Sequence, residues 1–265
     1  EFGCNEFGKL IKPESLTNRK LLIKDTEYTV GLGGIHSNES SRKIEVNDDE
    51  FLLDLDVVSY YPSMILNHGY APKNLKKAFL NLLGRFYNDR LSAKEVNDVV
   101  SLTTYKYVLV NCFGKYGSMY SCLFAPELLF YITLTGQLSL LMLIENIVDN
   151  TDCNVVSANT DGVTVFGKRS DIKKLMSVVE DWQKATRYKL EENYYKALYS
   201  EHVNRYIAIK ENGSIKSKGF GASSLDKNPD LEVCYDAVIR YIQGESFTMA
   251  VDECYDIRKF IRVER

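Results

Sequence analysis

Two aspartates in this sequence of 265 residues sit where a carboxylate is expensive to keep. Asp56 falls late in the run 51–58, which is apolar except at Asp54 and Asp56. Asp161 lies at the tip of Asn159-Thr160-Asp161-Gly162, between two runs rich in β-branched residues. An acid buried at the end of an apolar strand needs a cation to neutralise it. If the two strands are neighbours, their tips bring the carboxylates together as oxygen ligands of the kind Mg²⁺ takes. Taken singly, Asp161 also reads as an ordinary turn aspartate. Asp56 is harder to dismiss, because Ser59, Tyr60, Tyr61, Pro62 and Ser63 follow it closely. A second cluster is cationic. Arg90 and Lys94 are spaced to share one helical face, where like charges repel unless an anion joins them. Residues 71–118 hold eight Lys or Arg against three acids, although the whole chain has a net charge of −3. A basic segment set against an acidic remainder suits a protein that holds both metal ions and a polyanion. The same charges also suit a solvated helical hairpin.

The elements that would hold these groups follow from hydrophobic periodicity. Residues 28–35 read as a strand running into the Gly33-Gly34 turn, within an otherwise irregular stretch 1–50. Residues 51–58 form a core strand. Leu75, Phe79, Leu82, Leu83 and Phe86 carry helical spacing over 75–96, a polar break follows at Asn97-Asp98, and a second helix covers 102–118. Pro126 opens a long buried helix over 127–148. Its most apolar stretch, between Glu127 and Glu145, has 17 residues, fewer than the roughly 20 a membrane span needs. Asp161-Gly162 between β-branched runs predicts a hairpin over 155–166. Ser170 is expected to cap a helix with Ile172, Leu175, Met176, Val179 and Trp182 on one face. A second hairpin joins 205–210 to 214–218 through Glu211-Asn212-Gly213. The fold class is α+β, an antiparallel sheet with packed helices, interrupted by a helical insertion.

Composition narrows the field. With 45% hydrophobic residues, 5 Pro and 16 Gly, the chain is neither disordered nor fibrous. The six cysteines (4, 112, 122, 153, 234 and 254) include no C-x-x-C pair, which argues against a disulfide framework or zinc ribbon and for a reducing compartment. There is no signal-peptide pattern at the N-terminus. Trp182, the methionines and most of the 18 tyrosines are read as core, and His36 as structural.

Asp56-x-x-Ser59-x-Tyr61-Pro62-Ser63 resembles motif A of the family B (polymerase α-like) DNA polymerases, D-x-x-S-L-Y-P-S, with Tyr60 in place of Leu. Arg90-x-x-x-Lys94, followed by Lys106 and Phe113-Gly114, is similar to the family's fingers pattern and motif B. Ser157-Ala158-Asn159-Thr160-Asp161-Gly162 resembles motif C. Asn204-Arg205-Tyr206, with Lys216-x-Lys218-Gly219 beyond the hairpin turn, is similar to the K-x-Y region and the basic strand after it. The matches run in the family's order over about residues 50–240, with a phage-type member the nearest in character. On this ground the chain is identified as a member of the family, covering palm and fingers.

The resemblance implies a polymerase palm with a short helical-hairpin fingers insertion and the start of a thumb. Residues 1–74 would be the N-terminal segment and first part of the palm, 75–119 the fingers, 120–232 the second part of the palm and 233–265 the beginning of the thumb. It implies a palm-plus-fingers fragment without room for the family's N-terminal and 3′→5′ exonuclease domains, or a trimmed chain in which Glu1-Phe2 is a cloning scar. The activity implied is template-directed DNA synthesis in replication, adding dNMP from dNTP to a primer 3′-hydroxyl. Asp56 and Asp161 would be catalytic and hold two Mg²⁺, or Mn²⁺, with the Val57 carbonyl as a further ligand. Ser59, Tyr60, Tyr61, Arg90, Lys94, Lys106 and Asn111 would bind nucleotide, with Tyr61 packed under the sugar. Arg205, Tyr206, Lys216 and Lys218 would meet DNA. Primer–template DNA, dNTP and the rest of the polymerase chain or replisome are the implied partners. No membrane is implied, and the cytoplasm is the implied location, that of the host cell for a phage protein. The sequence departs from the pattern in three places. Asn159 replaces the first Asp of motif C, and Phe113 replaces a Tyr. Asn111 stands five residues after Lys106 instead of four, so either Val110 takes the Asn position or the register shifts by one. A degenerate palm that binds primer–template without turnover, and a two-metal nuclease, are the competing readings.

Overall fold

In the computed structural model of the protein, residues 3–5, 10–11, 19–31, 33–219 and 230–263 are described. Glu1 and Phe2 lie outside them. Twelve strands and seven α-helices follow in chain order among these residues. The first six strands are β1 (Gly3–Cys4), β2 (Leu10–Ile11), β3 (Arg19–Ile23), β4 (Thr26–Gly31), β5 (Gly34–Ser37) and β6 (Arg42–Glu45). Then come β7 (Glu50–Val57), α1 (Tyr60–His68), α2 (Lys76–Glu95), α3 (Val99–Lys115) and α4 (Pro126–Asn150). The hairpin β8 (Asn154–Ala158) and β9 (Gly162–Lys168) precedes α5 (Ile172–Thr186). Last are β10 (Leu190–His202), β11 (Arg205–Lys210), β12 (Ile215–Lys218), α6 (Glu232–Ile242) and α7 (Phe247–Asp252).

Seven strands form one antiparallel sheet in the order β12-β11-β10-β7-β9-β8, with β6 also paired to β10. The fold is α+β. Strand β7 reads as a near-continuous apolar run because both of its faces are covered. Phe51, Leu53, Leu55 and Val57 face the main core with helices α1, α4 and α5, while Leu52 faces a smaller cluster with Val156, Tyr195, Leu198 and Ala208. Asp54 and Asp56 share the face of Leu52, since strand side chains alternate.

Helix α4 runs through the main core and buries Phe130, Ile132, Leu140, Leu143, Ile144 and Ile147 among others. At 25 residues it is longer than the apolar run in the sequence suggests, and by length and composition alone it is able to cross a membrane. Here it is instead clamped on several sides. Tyr60 donates to the Gly136 carbonyl at 2.7 Å, the Trp182 indole donates to the Ser139 carbonyl at 2.7 Å, and Gln137 accepts from the Gly31 amide at 3.0 Å. The last bond ties the separate sheet β3-β4-β5 to the core helix.

Helices α2 and α3 form the expected antiparallel hairpin, turning at Asn97 (φ 55°) and capped by Asp98, whose carboxylate accepts from the Ser101 amide at 3.1 Å. The second helix begins at Val99, three residues before the expected start, because this cap precedes the apolar pattern. Ser170 does not cap α5. It lies in a single 3₁₀ turn (Arg169–Asp171), and its hydroxyl meets Asp171 Oδ2 at 3.4 Å. The helix still buries Leu175, Val179 and Trp182 as its spacing requires.

The largest difference from the sequence pattern is β10, a 13-residue strand where no element was expected. Its run of Glu, Asn, Lys and Tyr has no clear two-residue alternation, because one edge pairs first with β7 and then with β6, and the strand is bulged between. Helix α1 likewise has no counterpart in the elements expected from the sequence. Methionine is not uniformly core: Met64 is fully buried, but Met119, Met142 and Met249 are exposed. Tyr28, Tyr60, Tyr116, Tyr188 and Tyr195 are buried, and Tyr61, Tyr70, Tyr87, Tyr194 and Tyr206 pack partly against the core. Cys112, Cys122, Cys153, Cys234 and Cys254 are free thiols.

Candidate active site

The register of β7 against β9 sets Asp56 opposite Gly162, so Asp161 stands at the adjoining tip, and the Val57 amide donates to the Asp161 carbonyl at 2.7 Å. The turn is shaped by Asn159, whose side-chain oxygen accepts from the Asp161 amide at 3.0 Å while its own amide donates to the Gly162 carbonyl at 3.0 Å. Asn159 is therefore occupied with backbone. Gly162 is demanded by the close approach of β7: a Cβ there would stand 2.4 Å from Asp56 Oδ1 and 2.8 Å from the Leu55 carbonyl.

Burial pushes the Asp56 carboxyl up to about 6, the charge of Asp54 adding to the effect and Lys216 opposing it. Asp56 receives a hydrogen bond at Oδ2 from Lys216, and among the described residues no donor meets Oδ1. Asp54 is differently placed. It is buried, with Thr164 donating to Oδ1 at 3.0 Å and Tyr195 and Lys216 to Oδ2 at 2.5 and 2.8 Å. Among the described residues no group of three or more His, Cys, Asp or Glu side chains stands ready to hold a metal. Asp56, Asp161 and the Val57 backbone offer hard oxygen donors. Such a sparse oxygen set fits Mg²⁺, which usually takes one or two carboxylates and completes its shell with water and substrate phosphate.

These carboxylates open into a cleft of about 400 Å³ lined by Asp56, Val57, Val58, Ser59, Tyr60, Tyr61, Arg90, Lys106, Leu109, Val110, Thr160, Asp161 and Glu191. Ser59 turns the chain from β7 into α1 with left-handed geometry, φ 47° and ψ 52°, and has no side-chain cap bond. Ser59, Tyr60 and Tyr61 at the start of α1 thus line the cleft, and a helix start favours anions. Arg90 donates through Nη1 to the Ser59 hydroxyl. Its Nε is buried and, among the described residues, has no hydrogen-bond partner, an arrangement costing about 1–3 kcal/mol unless a ligand supplies an acceptor. Lys106 reaches the same cleft from α3.

Not every expected residue is there. Lys94 is half-exposed and pairs with Glu191, which lies opposite Asp56 in register, so it stands at the rim. Asn111 is exposed and bonds back to the Tyr107 carbonyl at 2.8 Å, while Val110 lines the cleft. Helical phase therefore gives the inward position to Val110, not Asn111. The Tyr61 ring stacks on Phe113 with centroids 4.0 Å apart and planes 19° from parallel, so the apolar ring of Phe113 does serve as a stacking surface.

The residues expected to face DNA divide. Arg205 and Lys218 are exposed, Arg205 pairing with Glu201 at 3.0 Å. Tyr206 is partly buried against the smaller core cluster, and burial pushes its hydroxyl up. Lys216 is turned inward. Its ammonium lies 2.8 Å from Asp54 and 2.9 Å from Asp56. Burial works against that charge, but the two aspartates outweigh it and lift Lys216 above the usual lysine range. His36 packs beside the turn of Asp161, its Nε2 3.5 Å from the Thr160 hydroxyl, and burial holds it below the usual histidine value.

Sequence reasoning missed Asp54, Thr164, Tyr195 and Glu191. For Asp54 a signal existed, since it shares a strand face with Asp56. For Glu191 there was none, because its strand was not recognised. No protein-family model matches the chain, and no curated protein matches it.

Proposed function

We propose that this cleft is the nucleotidyl-transfer site of a template-directed DNA polymerase, with the seven-stranded sheet and its helices as palm and α2–α3 as fingers. The observation that carries the reading is convergence. Asp56 with the start of α1, Arg90, Lys106 and Asp161 come from four separate stretches of the chain and line one cleft. Carboxylates, cations and helix amides together form a site for a metal-bound triphosphate.

Asp56 and Asp161 would hold the divalent ions, Mg²⁺ or Mn²⁺. When bound, such an ion supplies Lewis-acid charge at the phosphoryl oxygens and lowers the pKa of an attacking hydroxyl. The protein's own groups do the rest. The guanidinium of Arg90 and the ammonium of Lys106 take phosphate oxygens, and the unpaired Arg90 Nε gains an acceptor. The amides at the start of α1 orient the same phosphates. Tyr61, fixed by its stack on Phe113, packs under the sugar and leaves no room for a 2′-hydroxyl. Arg205 and Lys218 meet the DNA backbone from the sheet edge. The partners are primer–template DNA, dNTP and the rest of a replication polymerase or replisome, in the host cytoplasm for a phage protein.

One observation favours a second reading, a palm that binds primer–template without turnover: Asn159 is consumed in its turn and adds no ligand. A labelled primer–template with Mg²⁺ and dNTPs separates the two. Extension that disappears in Asp56→Asn and Asp161→Asn supports synthesis. A gel shift without extension supports the binding module, and primer shortening supports a nuclease.

A further inference from the structure

Lys216 sits on β12, three strand intervals from β7 in the sheet order. That is about 14 Å across a flat sheet, beyond the reach of a lysine and an aspartate together. The sheet must therefore curl so that β12 comes over the carboxylate face of β7. What it brings there is one ammonium between two carboxylates, at 2.8 and 2.9 Å.

The two acids are not equivalent partners. Asp54 is 8% exposed, has both oxygens engaged by Thr164, Tyr195 and Lys216, and does not line the cleft. Asp56 is 30% exposed, gives only Oδ2 to Lys216, and turns Oδ1 towards Gly162. Asp54 therefore reads as an anchor that fixes a cation beside Asp56. A fixed positive charge in contact with a metal ligand does two things. It orients the carboxylate so that one oxygen remains for the cleft. It also repels an arriving divalent cation, until an anionic group enters with it.

We propose that Lys216 is a positioning residue for this centre: held by Asp54, it presents Asp56 through Oδ1 alone and keeps the affinity of the nucleotide-free site for divalent ions low. Metal entry is thereby coupled to the arrival of a polyphosphate. This rests on the reading of Asp56 and Asp161 as metal ligands.

Mn²⁺ binding to the whole chain, followed by the EPR signal of the free ion without nucleotide, tests it. Lys216→Met should tighten Mn²⁺ binding at least about tenfold, and Lys216→Arg, which keeps the charge, should stay close to wild type. Adding triphosphate should raise Mn²⁺ affinity more in the wild type than in Lys216→Met. Should Lys216→Met fail to fold, the pair Asp54→Asn with Lys216→Met removes the ammonium without stranding Asp54 and carries the same expectation. Unchanged or weaker Mn²⁺ binding in a folded variant lacking the ammonium overturns the role of Lys216. Asp161→Asn separates that failure from a failure of the site: if it leaves Mn²⁺ binding intact, or if no variant binds Mn²⁺, the metal centre itself is misplaced.

Discussion

The carboxylates and the cations of the cleft are held in opposite ways. Asp56 ends a strand at the centre of a seven-stranded sheet and Asp161 sits in the turn that opens the neighbouring strand, with the core packed behind them. Arg90 and Lys106 ride on a two-helix hairpin whose outer surface leaves Leu82, Val96, Val99, Val100 and Tyr107 exposed. Strand register fixes the first pair to within a side-chain rotamer, whereas a projecting hairpin joined by few buried contacts is the kind of element that moves. Under the proposed function, the metal ligands would be in place before substrate arrives and the phosphate clamp would close after it. Secondary structure alone would then set that division of labour.

The sharpest break in this comparison lies on the strand side. Asp56→Asn or Asp161→Asn should lower Mg²⁺-dependent extension by at least about a thousandfold, and retention of near-normal synthesis by either would remove it from the site. Asp56→Asn should also change stability in metal-free buffer. The carboxyl is raised from 3.8 to about 6 on folding, so between those values the folded protein binds more protons than the unfolded chain. Its contribution to stability therefore falls as pH rises through that window. Asn removes the decline, so the variant should gain about 1–3 kcal/mol at pH 7 and nothing at pH 3. Denaturant melts in EDTA at both pH values check the sign, and equal gains at both would assign the effect elsewhere.

Next in size is Gly162→Ala. With Asp56 Oδ1 and the Leu55 carbonyl in the way, the methyl group should cost about 1–3 kcal/mol of stability and displace the carboxylate. Full activity with an unchanged melt would contradict the packing described. On the hairpin side, Arg90→Ala and Lys106→Ala should each cost about 1–3 kcal/mol in kcat/KM for dNTP, with little change in primer–template affinity. Equal loss of DNA binding would move them to a backbone-contacting surface. Lys94→Ala, at the rim, should do less. Asn111→Ala is the smallest expected effect: a KM for dNTP within about twofold of wild type, because its amide faces its own helix. A tenfold rise would bring Asn111 back into the cleft.

Much of this was legible in the residues. Apolar runs and the Asp161-Gly162 turn located β7, β8 and β9, and helical spacing located α2, α3, α4 and α5. What failed failed for physical reasons. Strand β10 carries a polar, bulged pattern that mimics a loop, yet it is the strand that joins the two halves of the sheet. The inward turn of Lys216 depends on curling of the sheet, which no spacing along the chain encodes. The choice between Val110 and Asn111 needed the phase of α3 relative to a cleft that only the tertiary fold defines.

One contact sets a mechanical boundary condition on the whole site. A Cβ at Gly34, where φ is 139°, would stand 2.6 Å from the Thr160 hydroxyl. The backbone of β5 thus lies directly against the side chain of Thr160, the residue preceding Asp161. The same small sheet is pinned to α4 through Gly31 and Gln137. The sheet β3-β4-β5 therefore touches both the core helix and the turn that carries the carboxylate. The Asp161 turn is thus packed partly by a region that holds none of the proposed chemistry, and a change in β5 reaches that turn through Thr160.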